Sequence, residues 1–256
     1  MKFQAYLPCD RLKPFIKRFV ISEASEGQTY KILPDTSLVM GFQYRGHLSY
    51  LNKSSEMPLA ASGITGLHHS FRIFKNSPAT GSVLVVFTET GAASFFKEPI
   101  HELFGESIAL NTFVKPSFLA VVEEQLSATT HDLERIRLIE RFLLSQVQES
   151  SVDPLVTLAV QYIFQSGGTL RITALMDRLC ISQSPLEKRF RQVVGTSPKK
   201  FASIVRMHRA IKLLSEGQRF TDTGLTAGYF DQAHFGKEFK LFTGVTPTEF
   251  TQALGT

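Results

Sequence analysis

The spacing of apolar residues changes character along the chain. Over positions 1–115 they come in short runs broken by Gly, Pro, Asn and Ser, the texture of strands and turns. Ser37–Tyr44 and His47–Leu51 flank Arg45-Gly46 and predict a hairpin closed by a glycine turn. Further strands are expected near Ser62–Leu67, Phe71–Phe74 and Val83–Phe87, the last apolar throughout, as suits a buried strand. Leu12, Phe15, Ile16 and Phe19 recur at one-face helical spacing and predict an opening helix over Asp10–Phe19. Many short strands with turn residues between them indicate a barrel or a sandwich.

After Pro116 the period lengthens to that of helices. Helical spacing covers Phe118–Leu126 and Leu133–Val147, where Leu133, Ile136, Ile139, Leu143 and Val147 form one stripe. Such a pair either covers the end of the strand domain or meets a second copy of the chain. Gln148–Val152 is short and polar, so the domain junction is placed there, dividing the chain into 1–150 and 151–256. Asp153-Pro154 then supplies a helix N-cap followed by proline at the first helical position.

Composition narrows the class. The 256 residues are 43% hydrophobic, enough to bury a core, and with 22 Phe and 0 Trp the aromatic packing falls mainly to phenyl rings. Two cysteines, Cys9 and Cys180, make neither a disulfide framework nor a thiolate metal site. No apolar run is long enough to span a membrane, and charges interrupt the N-terminal stretch, unlike a secretory signal. A reduced, cytoplasmic protein is expected. The net charge of +5 is divided unevenly: Lys/Arg and Asp/Glu cancel at 15 each in residues 1–152, whereas residues 153–256 hold 13 against 8. Between Leu186 and Lys212 eight basic residues face one acid, Glu187. A cluster of this kind attracts polyanions, although a solvated helix surface has the same composition.

The basic region repeats itself at an offset of 49 residues. Leu186–Phe201 aligns with Phe235–Phe250, pairing Lys188 with Lys237, Phe190 with Phe239, Gly195 with Gly244, Pro198 with Pro247 and Phe201 with Phe250. The Phe residues make an apolar helix stripe, the Gly ends that helix in a left-handed conformation, and Ser-Pro or Thr-Pro caps the next one. A shorter helix is expected upstream of each copy, over Ile172–Leu179 and Thr221–Ala227. Helix, tight turn and capped helix make a helix-turn-helix unit. Here two such units are bridged by a helix from Lys199 to about Glu216.

These residues resemble the AraC/XylS family of bacterial transcription regulators. The likeness runs through Leu179-Cys180-Ile181-Ser182, Gly195-Thr196-Ser197-Pro198, Arg206–Ala210, Gly228–Phe235 and Gly244–Pro247. Met176, Thr223, Gly224 and Phe230 depart from the family pattern, and three Thr with Gly224 make Thr221–Ala227 a poor helix on propensity.

On the first recognition helix, Ser184, Glu187, Lys188 and Arg191 share the face opposite Leu186 and Phe190. By resemblance that face enters the major groove of double-stranded DNA. Lys188 and Arg191 suit guanine or phosphate, and Glu187 suits cytosine N4. On the second helix Gln232, Ala233, Gly236, Lys237 and Lys240 take the corresponding face, with Gln232 suited to adenine and Ala233 to a thymine methyl. A bridging helix of about 17 residues spans about 25 Å, which allows successive major-groove segments about 34 Å apart to be read.

A looser likeness, carried by Leu33-Pro34-Asp35 and by Phe87–Leu110, links the N-terminal half to cupin-like sensor domains of the same family. It implies an α+β protein: a cupin-like β-barrel with a helical appendage, then an all-α domain with two helix-turn-helix units. It also implies a small-molecule effector in the barrel, dimerisation and an influence on RNA polymerase. Phe42, Tyr44, Tyr50, Phe71 and Phe74 are candidate pocket residues, although filling the barrel is an equally physical role for them. Adjacent His68 and His69 point to opposite faces of a strand, and His47 and His101 have no partner at ligand spacing, so neither metal nor cofactor is expected. The rival readings are a cupin-like metal-dependent enzyme with a non-specific nucleic-acid-binding tail, and a small-molecule binder whose second helix-turn-helix has decayed.

Overall fold

The computed structural model describes residues 2–52, 55–148 and 152–254. The architecture is α+β, with strands first and helices after. Among the described residues ten strands come in order: β1 Lys2–Tyr6, β2 Ile16–Ala24, β3 Gln28–Ile32, β4 Val39–Arg45, β5 Leu48–Asn52, β6 Ser55–Pro58, β7 Ser62–Thr65, β8 Arg72–Asn76, β9 Thr80–Phe87 and β10 Ser107–Ala109. They form two antiparallel sheets rather than a closed ring, one ordered β1-β2-β9-β4-β7-β10 and the other β3-β8-β5-β6.

Two local expectations give way to tertiary pairing. The hairpin across Gly46 does not form, because both edges of β4 are taken by β9 and β7. Gly46, at φ +64°, instead passes the chain from one sheet to the other, where β5 pairs with β6 and β8. The opening helix shrinks to a turn in which Leu12 N donates to Cys9 O and Ile16 N to Leu12 O. Pro14 cannot donate within a helix, and Phe19, Val20 and Ile21 pair with Val85, Leu84 and Val83 of β9.

Period-2 alternation gives the six-stranded sheet two different faces. Phe19, Phe42, Val83 and Val85 point to the main core, whereas Val20, Val39, Leu84 and Val86 line a cavity shared with the other sheet. Helices α1 Pro116–Ala128 and α2 Asp132–Gln146 cover the core face. The Phe42 ring meets Phe142 edge-on at 5.6 Å, and the Arg135 guanidinium lies 3.9 Å from the Tyr44 ring centre. Ile136, Ile139 and Leu143 are buried in the chain's own core, leaving Leu133 as the exposed end of the stripe.

Among the described residues seven helices follow: α3 Pro154–Gln165, α4 Ile172–Leu179, α5 Gln183–Val194, α6 Pro198–Ser215, α7 Phe220–Thr226, α8 Gln232–Thr243 and α9 Pro247–Leu254. The junction expected at Gln148–Val152 falls largely on residues 149–151, outside the described residues. Among the described residues, buried apolar side chains make two clusters. One runs unbroken from the six-stranded sheet through α1 and α2 into α3–α5 and the first half of α6, and the other is built around α6 and α8. The first helix-turn-helix is therefore packed into the N-terminal half, while the second has a smaller core of its own.

Candidate nucleic-acid interface

In the first unit α4 ends at Cys180, held at φ +50°, and Ile181 N closes the turn by donating to Met176 O. Leu186, Phe190 and Val194 bury one side of α5. Gly195 at φ +91° stops the helix, and the Ser197 side chain accepts from Lys200 N to begin α6. Arg189, on the flank of α5, is held by a two-pronged bond to Asp153, with Nε to Oδ2 at 2.7 Å and NH2 to Oδ1 at 2.8 Å. The same carboxylate caps α3 by accepting from Leu155 N and Val156 N. Burial opposes its ionisation, but the Arg189 and backbone donors outweigh that and hold its pKa below the usual carboxylate range. Arg189 thus fixes α5 against α3. Ser184, Lys188 and Arg191 remain exposed on the outer face, while Glu187 is half-buried and accepts from Gln183 Nε2 at 2.9 Å.

The second unit uses the same plan with different means. Tyr229 N donates to Gly224 O, as Ile181 N does to Met176 O, an offset of 48 residues. The caps Ser182 and Asp231 stand 49 apart, so this turn carries one extra residue, Phe230, whose side chain is 97% exposed. Asp231 caps α8 by accepting from Ala233 N and His234 N. The weak propensity of the α7 segment is offset by packing. A Cβ at Gly224 would stand 3.1 Å from Cδ1 of Phe235, so glycine lets that ring seat closely. Buried Thr223 satisfies its hydroxyl by donating to Arg219 O at 2.9 Å. Burial pushes the Tyr229 phenol well up, and its hydroxyl donates to Glu238 at 2.8 Å beneath the Arg206 guanidinium. Gln232, Ala233, Lys237 and Lys240 are exposed and Gly236 half-exposed, so the five expected residues share the outward side of α8. Helix α6 joins the units with 18 residues, about 27 Å.

The second candidate site lies between the sheets, a cavity of about 540 Å³. Of the aromatic residues expected there, Phe74 lines it. Phe42 and Tyr44 point to the opposite face of the sheet, beneath α2. Tyr50 pairs in register with Phe74 but is not part of the wall. Phe71 packs at the domain contact, where a Cβ on Gly244 would meet its ring at 2.7 Å. The polar wall includes Ser82, a buried hydroxyl with no partner, and His68. Burial pushes the His68 imidazole down, and its Nδ1 lies 2.6 Å from Ser70 O. Composition gave no signal for this wall, because its residues alternate with core residues on the same strands. Among the described residues, no three His, Cys, Asp or Glu side chains group closely enough to hold a metal, and no helix is long and apolar enough to cross a membrane.

Residues 175–253 match the model of a helix-turn-helix domain, and residues 4–109 match that of a domain of unknown function. The Msm operon regulatory protein of Streptococcus mutans is 29% identical over 157 residues, 60% of this chain and 56% of that protein. The arabinose operon regulatory protein of Escherichia coli is 32% identical over 128 residues, 46% of this chain and 44% of that protein. The C-terminal domain is a helix-turn-helix domain of the AraC type. The chain's match spans about half the length of these relatives. The structure of ToxT from Vibrio cholerae superimposes over 100% of both chains with a TM-score of 0.50 at 14% identity, a likeness of fold that includes the N-terminal half.

Proposed function

We propose that this protein is a sequence-specific DNA-binding transcription regulator, with residues 1–150 as a small-molecule sensor and residues 151–256 as the DNA-binding domain. The observation that carries it is the pair of helices α5 and α8, each anchored by buried Phe and presenting polar residues outward. Lys188, Arg191, Lys237 and Lys240 supply positive charge for phosphate and guanine, Glu187 selects against phosphate, and Gln232 and Ala233 read adenine and thymine. The reading includes no catalytic step; regulation acts on the access of RNA polymerase. An effector occupies the cavity, where apolar walls bury it and Ser82 and His68 offer polar contacts. Leu33 ties that cavity to DNA binding, because it both lines the cavity and packs on the core of the second helix-turn-helix.

The test is selection of bound duplexes from genomic fragments across a salt series. The wild type is expected to enrich one asymmetric site. The combined Lys188→Ala, Arg191→Ala and Lys237→Ala variant should bind it at least about 100-fold more weakly, as loss of several phosphate or base contacts requires. Undiminished binding by that variant would sink the proposed surface.

A further inference from the structure

The face of α5 that carries Ser184, Glu187, Lys188 and Arg191 is not an isolated helix surface. Those four residues and Gln192 form one wall of an open groove of about 410 Å³, and the other wall is His101, from the N-terminal half. His101 is placed there by its neighbour. Ile100 opens a short 3-10 turn over Ile100–Leu103, is buried, and packs against the C-terminal end of α5. A Cβ on Gly195 would stand 2.9 Å from Ile100 Cγ2, so the glycine that ends α5 also admits this contact. With Ile100 locked in, the next side chain is directed to the surface beside the recognition helix, where His101 is exposed.

We infer that His101 is part of the DNA interface and meets a backbone phosphate when α5 is in the major groove, an inference that rests on the regulator reading. A recognition helix reads bases with its N-terminal residues. An element packed against its C-terminal end therefore lies at the lip of the groove, where the phosphate backbone passes. The groups facing His101 across the groove are Lys188 and Arg191, which favour an anion, and the half-buried Glu187, already engaged by Gln183. Glu102, exposed on the same turn, is the opposing charge. An imidazole supplies an N–H donor to phosphate whatever its protonation state, because one ring nitrogen always carries hydrogen. The N-terminal half thus adds a contact that carries no sequence information and extends the footprint beyond the two helices.

The test compares the full-length wild type with His101→Lys, His101→Glu and His131→Lys on one selected duplex and one random duplex, from low to physiological salt. His131 lies at the start of α2, outside the groove. His101→Lys is expected to tighten both duplexes and to steepen the salt slope by about one ion, while His101→Glu weakens both by about tenfold. His131→Lys should match the wild type, and thermal melting verifies that each variant is folded. Equal effects at positions 101 and 131, or none at 101, would overturn the inference while leaving the regulator reading intact. A wild type indifferent to duplex would instead remove that reading and, with it, this one.

Discussion

His208 on α6 donates its Nε2 hydrogen to the carbonyl oxygen of Pro34, 2.8 Å away, and so fastens the bridging helix to the rim of the cavity. Lys31 does the same for the second recognition helix, with Nζ 2.8 Å from the carbonyl oxygen of Thr243 at the end of α8. Between them Ile32 and Leu33 face the cavity. One short segment therefore touches the sensor wall on one side and the second helix-turn-helix on the other. Removing both clasps with His208→Ala and Lys31→Ala should lower stability only modestly, at about 1 kcal/mol per hydrogen bond. The amides of α8 should then exchange with solvent about tenfold faster while those of α5 stay protected, since α5 is packed into the main core. Unchanged exchange in α8 would show that these bonds do not hold it.

Glu187 is the one acid on the face of α5 that meets the groove. Its charge repels phosphate, so Glu187→Gln should tighten binding to random-sequence duplex by roughly threefold to tenfold and flatten the preference for the selected site. Titrations of both duplexes at one salt concentration read the two effects together.

Asp153 caps α3 and pairs with Arg189. Asp153→Ala should cost about 1–2 kcal/mol, mostly from the lost cap, and Asp153→Asn, which keeps a capping oxygen, should cost less. The ion pair itself adds little, because the Arg189 side chain is 42% exposed and solvent screens it. Its carboxyl pKa lies below the ordinary 3.8, so this stabilisation is present above that pH and lost as acid titrates through the lowered value. Urea midpoints measured from about pH 5 to well below pH 3.8 should fall less steeply for Asp153→Asn than for the wild type.

Burial disfavours the charged form of the His68 imidazole and lowers its pKa from the ordinary 6.5. Below that pH the unfolded chain takes up a proton that the folded site refuses, so stability declines as pH falls from about 6.5 towards the lowered value. His68→Gln should flatten the decline between pH 7 and pH 5.5 in urea titrations. An equal slope in both proteins would place the acid sensitivity elsewhere.

Much of the helical half was legible because its signals are local. Phe190 and Phe239, Gly195 and Gly244, and the caps before Pro198 and Pro247 recur at fixed spacing, and each acts on the residues next to it. The poor propensity of the α7 segment misleads only until Phe235 is seen packed over Gly224. The strand half was harder to read. Phe42 and Phe74 are equivalent as sequence, yet one lies under α2 and the other lines the cavity.

The chain by itself determined the two helix-turn-helix units and the residues facing outward on each recognition helix, since a 3.6-residue period fixes which side chains share a face. It also determined where charge gathers, because that is a matter of counting. Tertiary structure decided which side of each strand becomes cavity and which becomes core, because alternation leaves two equivalent faces until a helix covers one of them. It alone brought His101 beside Arg191 and Leu33 against the core of the second unit. Those contacts join residues about 90 and 170 positions or more apart, and only packing of the whole chain sets such separations.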